Sequence, residues 1–189
     1  MPLPSVGHSP LAPDTQRCPP LPSSELITST FGGHPRVLPE VWAVPLHTAS
    51  RLASHHREQW AAETISRDPA ADDHVVAAAK RSIDRLNATR VALIGEIDSW
   101  VERVIRPPGG APLHTETIGS VIDRLAIAWV RWSRFSETAQ LDPSDVDPSL
   151  ALQQFTELTE AFDTLVLDIQ EGRRRIPHWR TLKSYREPR

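Results

Sequence analysis

The residues best suited to chemistry in this chain sit where a helical repeat calls for apolar side chains. His56 and Glu63 fall on one predicted helical stripe together with Leu52 and Trp60. Arg90 occupies the stripe of the next predicted helix between Leu86 and Ile94, with Asn87 beside it. Glu116 and Asp123 flank Ile122 in the first turns of a third. A buried charge without a partner is costly, so these groups are expected to meet in the interior. One outcome is a structural ion network that fixes helix register. The other is a polar pocket for acid–base chemistry, with Glu116 and Asp123 as the acid–base pair and His56 as a second proton carrier. In that pocket Arg90 and Arg124 would hold an anionic group. Glu63, Asn87 and Trp60 would line it, and Lys183 or Tyr185 would close it from the C-terminal end. The seven-residue spacing places Glu116 and Asp123 on one helical face about 10 Å apart. Two carboxylates held close in a dry pocket predict a raised pKa for at least one of them.

Other features weigh towards ordinary structure. No Glu-x-x-His pair of the kind used by di-iron bundles occurs, His55-x-x-Glu58 being the reverse order, so no metal site is expected. No cofactor is expected either. The run from His114 to Ser120 opens a helix whose backbone N–H groups could hold an anion. Capping by Thr115 or Thr117 accounts for it more simply, since Glu116 already brings a negative charge. Gly119, one turn inside that helix, costs about 1 kcal/mol relative to alanine, and this implies close approach of another backbone or of a ligand. Trp129 and Trp132 read as core, and His114 as a surface loop residue.

The elements that must position these groups are helices. Ten of the eighteen prolines fall in the first 45 residues. Those up to Pro22 are too closely spaced for a helix to grow between them. Residues 1–45 are therefore expected to be partly disordered, or docked without regular structure. The bundle is expected over 46–172. A first helix runs from 46 to 66 and stops before Asp68-Pro69. A second starts near Asp72 or Asp73 and follows Val76, Ala79, Ile83, Leu86, Arg90, Ile94, Ile97, Val101 and Val104. After the break Arg106-Pro107-Pro108-Gly109-Gly110-Ala111-Pro112, a third follows Ile118, Ile122, Leu125, Trp129 and Trp132. A fourth starts near Pro148-Ser149, follows Leu152, Phe155, Leu158, Phe162, Leu165 and Ile169, and has Gly172 as its C-cap residue. Residues 173–189 form a basic tail expected to pack on the bundle. The fold class is all-α: an antiparallel bundle of about four long helices with an extended N-terminal and a basic C-terminal tail.

Composition narrows the function classes. The chain has 21 Lys and Arg against 24 Asp and Glu, a net charge of −3, which disfavours nucleic acid as a partner. No run is long and apolar enough to span a bilayer, so no membrane partner is expected. The single cysteine, Cys18, allows no disulfide within the chain and fits a cytoplasmic setting. A homo-oligomer is left open.

One resemblance is carried by particular residues. Leu113-x-Thr115-Glu116-Thr117-x-Gly119-Ser120-x-Ile122-Asp123-Arg124-Leu125 resembles the signature of a bacterial family known only as domain of unknown function 4254. Lys80-x-x-Ile83-Asp84-x-Leu86-Asn87-x-x-Arg90, Trp60-x-x-Glu63 with Arg67-Asp68-Pro69, and Lys183-x-Tyr185-x-x-Pro188 are similar to further parts of that pattern. The chain departs from it at Thr64, Ile118, Trp129, Trp132 and Arg186. The resemblance implies a helical fold and no activity. The function expected from the residues is that of a small cofactor-independent enzyme of bacterial secondary or sugar-related metabolism. Its acid–base chemistry would be isomerisation, cyclisation or elimination. The alternative is a non-catalytic helical protein that binds a partner enzyme or small ligand, its buried charges being structural.

Overall fold

A computed structural model describes residues 21–33, 39–105, 109–142 and 147–177. Its helices are α1 (Ser24–Thr28), α2 (Ala43–Ser66), α3 (Asp73–Val104), α4 (Ile118–Leu141) and α5 (Ser149–Gln170), with a 3-10 turn at Glu40–Trp42. The four long helices α2 to α5 pack together and no strand occurs among the described residues, as the periodicity required. Cross-links give the directions. Thr48 and Arg51 of α2 meet Glu96 of α3, and Gln59 meets Asn87, so the two helices run antiparallel. Asp98 meets Gly119 and Arg90 meets Asp123, so α3 and α4 are antiparallel as well. Helices α2 and α4 consequently lie side by side in the same direction, joined by His56–Asp123 and Trp60–Phe135.

The helix ends follow local chemistry. Helix α2 starts at Ala43, three residues before the expected start, because Pro45 is tolerated in a first turn, where its missing N–H has no intrahelical acceptor. Thr117 caps α4, its hydroxyl accepting from Ser120 N at 3.1 Å. Helix α5 ends in a Schellman arrangement: Arg173 N donates to Asp168 O, Gly172 N to Ile169 O, and Gly172 takes a positive φ of 73°. From there residues 173–177 return to the loop before α4. Arg175 N donates to Pro112 O and His114 N to Arg175 O, and Ile176 is buried.

Residues 21–33, the described part of the N-terminal segment's first stretch, dock on the bundle and differ from the expectation of no regular structure only at Ser24–Thr28. These form α1, capped by Ser23 and held by Asp163, whose carboxylate accepts from both the N–H and the hydroxyl of Ser24. Leu21, Ile27 and Phe31 enter the core. Phe31 packs on Trp129, and Arg57 ties the segment down by donating to Phe31 O while lying over the Trp129 ring.

The core is concentrated towards one half of the bundle. Leu46, Ala49, Leu52 and Ala53 of α2, Leu93, Ile97, Trp100 and Val101 of α3, and Ile118, Ile122, Leu125 and Ala126 of α4 are all buried there. Leu93 and Trp100 lie outside the narrow stripe read from sequence, because α3 faces both α2 and α4 in this half and needs a wider apolar face. Gly119 sets the α3–α4 distance. A Cβ there would lie 2.5 Å from Ile94 O and 2.7 Å from Asp98 Oδ1. The missing side chain thus admits another backbone, one of the two expected causes. It also lets Gly119 N donate to Asp98 at 2.7 Å.

Candidate functional site

The last three turns of α2 place His56, Gln59, Trp60 and Glu63 on one side, and Arg67 follows at the C-cap. On α4 the same rule aligns Asp123, Ile127, Val130 and Arg131. Helix α3 contributes Arg90 between them. A cleft of about 410 Å³ opens along this seam, lined by His56, Gln59, Trp60, Glu63, Thr64, Arg67, Arg90, Ile127, Val130 and Arg131.

At the inner end of the seam stands a triad. Asp123 is 2% exposed. Its Oδ1 accepts from His56 Nε2 at 2.8 Å and from Arg90 Nε at 2.9 Å, and its Oδ2 accepts from Arg90 Nη2. The Arg90 fork is therefore bidentate, the geometry in which guanidinium and carboxylate bind most strongly. Burial pushes the Asp123 carboxyl towards protonation. The hydrogen bonds and charges of His56 and Arg90 outweigh it, and the carboxyl lies below its ordinary range. This direction is opposite to the raised carboxyl pKa expected of a like-charged pair.

An ionised carboxylate can only accept, so His56 Nε2 carries the hydrogen and the neutral ring keeps Nδ1 as its base. Among the described residues no hydrogen bond is made to Nδ1, and the ring lines the cleft although the residue is only 7% exposed. His55 stands beside it, edge to face at 5.3 Å. Burial and then the charge of His56 lower the His55 pKa from 6.5. Its Nε2 and the Oε1 of Gln59, one helical turn on, are buried without hydrogen-bond partners among the described residues.

The structure brings together some of the expected residues and separates others. His56, Arg90 and Asp123 meet as anticipated. Trp60 and Glu63 line the same cleft; Glu63 accepts from Arg67 at 3.0 Å, and Trp60 stands edge-on to Phe135. Asn87 is exposed and does not line the cleft; it accepts a 3.4 Å bond from Gln59, which does. Glu116 does not share a helical face with Asp123. It precedes the Thr117 cap, so the i, i+7 relation has no helix to act on. Its carboxylate pairs with Arg124 at 2.7 Å on the surface, and neither residue lines the cleft. The anion-binding reading of the α4 start gives way to capping, since Gly119 N and Ser120 N are taken by Asp98 and Thr117. Lys183 and Tyr185 lie outside the described residues. The cleft also includes Arg131, which the sequence reading did not nominate. The signal that would have found it is its position eight residues after Asp123, on the same face of α4. No group of three or more His, Cys, Asp or Glu side chains suited to a metal occurs among the described residues. None of their helices is long and apolar enough to cross a membrane.

Fold and site define a class: an all-α bundle with a buried carboxylate–imidazole–guanidinium triad at the head of an open interhelical cleft. Residues 46–177 match the model of a family described as protein of unknown function, DUF4254, and the chain belongs to that family. The match runs from Leu46 in the first turn of α2 to beyond α5 and includes every residue of the triad and cleft. No curated protein matches, and no solved structure does.

Proposed function

We propose that the protein is a small cofactor-independent enzyme that transfers a proton on a metabolite bound in the α2–α3–α4 cleft, in an isomerisation, cyclisation or elimination. The observation that carries this reading is the orientation of His56. One ring nitrogen is held by a buried, ionised carboxylate, and the ring borders an open cleft without a second partner. Asp123 then acts as a positioning residue: it selects the tautomer and stabilises the imidazolium formed when Nδ1 accepts a proton. Arg90 keeps Asp123 ionised and holds its carboxylate in place against His56. Asp123 does not exchange protons with substrate in this scheme, and Glu116 takes no part.

Exchange in D2O tests the reading. The protein would be screened by thermal shift against a panel of small carboxylates, sugar phosphates and neutral sugars. Ligands that stabilise it would be incubated with it in D2O and followed by proton NMR. Loss of a carbon-bound proton signal with the parent, and its retention with His56→Gln, is the expected result. Binding without exchange for every stabilising ligand would overturn the catalytic reading. That result favours the second one, a ligand-binding bundle with a structural triad, which the complete pairing of both Asp123 oxygens supports.

A further inference from the structure

We infer that the cleft takes a ligand bearing one oxyanion, a carboxylate or a phosphate monoester, and that Arg131 is the residue that anchors it. This rests on the reading of the cleft as a ligand site. Three arginines line it: Arg67, Arg90 and Arg131. Two of them are neutralised in place. Arg67 is paired with Glu63 at 3.0 Å, and Arg90 makes its bidentate contact with Asp123. Arg131 has no carboxylate partner among the described residues. Its one hydrogen bond runs from Nη1 to the neutral Gln154 Oε1 at 3.3 Å, long for a charged donor. The lining therefore carries a surplus of one fixed positive charge. A concave site with such a surplus concentrates anions.

Placement turns this surplus into a binding mode. Arg131 follows Asp123 by eight residues on one face of α4, about 12 Å along the axis, with Ile127 between them. An oxyanion on Arg131 would leave the body of a small ligand against Ile127, Val130 and Trp60 and its far end near His56 Nδ1. The planar guanidinium of Arg131 keeps Nε and Nη2 available for a forked contact with two oxyanion oxygens. Arg90 Nη1, which has no acceptor among the described residues, supplies a second donor nearer the triad. Arg124, the other arginine first assigned to an anionic group, is excluded by its surface pairing with Glu116.

The test is a titration of 15N-labelled protein with inorganic phosphate and, separately, with benzoate, reading arginine Nε–H and histidine ring signals. Saturable shifts at the Arg131 Nε–H signal are expected. Affinity should fall about tenfold in Arg131→Gln, the loss of a charge-assisted contact, and should stay unchanged in Arg124→Gln. A preference for phosphate or for benzoate distinguishes the two oxyanion classes, and either supports the inference. Three results would overturn it: equal binding by parent and Arg131→Gln, equal binding of neutral benzamide and benzoate, or no shift with either anion. Since Arg131 is exposed, the variant should fold, and an unchanged melting temperature would verify this. Proton exchange separates this inference from the catalytic reading. Arg131-dependent anion binding without any His56-dependent exchange leaves the anchor standing and removes the enzyme. His56-dependent exchange with unchanged KM in Arg131→Gln does the reverse.

Discussion

The two halves of the α2–α4 seam are built from the same helices and differ in almost everything else. In the first half Leu46, Ala49, Leu52 and Ala53 face Ile118, Ile122, Leu125 and Ala126, and all are buried. In the second, His56, Gln59, Trp60, Glu63 and Arg67 face Ile127, Val130 and Arg131 across open space. The triad stands at the boundary. A dry core cannot end abruptly in solvent without either covering its last apolar turn or changing to groups that tolerate water. Asp123 makes that change: it is enclosed like a core residue yet holds two polar side chains that reach the cleft. The comparison teaches that a buried charge here sits where packing stops, and that the cleft is maintained because its lining is too polar to collapse.

The sharpest way to break this comparison is to remove its boundary. Asp123→Ala leaves His56 and half-buried Arg90 without their acceptor, and a loss of about 3–5 kcal/mol is expected in urea unfolding. A loss below about 1 kcal/mol, the range of exposed ion pairs, would mean that solvent already reaches the triad. The two halves can then be compared directly. Leu52→Ala in the closed half should cost about 2–5 kcal/mol, since a fully buried Leu leaves a cavity. Thr64→Ala in the open half should stay within about 0.5 kcal/mol. Similar values for both would dissolve the distinction.

A pH series probes the boundary more gently. The Asp123 carboxyl is depressed on folding, so its stabilisation is present above the unfolded carboxyl pKa of 3.8 and is lost as pH falls through the lower folded value. The His55 pKa is lowered on folding, so below 6.5 the unfolded chain binds a proton that the folded one refuses, and stability falls on acidification. The parent should lose stability from about pH 6.5 downward. His55→Phe should flatten that first limb and leave the strongly acidic limb, while Asp123→Asn should flatten the second. A small effect is expected at Glu116→Gln as well. Its pair with Arg124 is exposed, and the change in unfolding free energy should be under about 1 kcal/mol, with D2O exchange and phosphate binding unaltered.

Much of this was legible in the residues alone, because it depends on local constraints. Prolines and glycines lack a donor or a side chain, so Asp68-Pro69, the break at 106–112 and Gly172 bounded the helices whatever packed around them. His56, Arg90 and Asp123 could be singled out because a charged group on an apolar stripe must find a partner, and the stripes of neighbouring helices restrict where it can look. Only the tertiary structure decided which partner each found. Glu116 and Asp123 looked equivalent by spacing, but the helix starts after Thr117, so a single cap sends one carboxylate to the surface and the other inside. Leu93 and Trp100 entered the core because α3 touches two helices in its second half, which no stripe on α3 records. Arg131 is the clearest case. Along the chain it is one arginine among many on an exposed helical face. It becomes distinctive only when Glu63 and Asp123 are seen to neutralise its two neighbours, and that charge balance is summed across three helices.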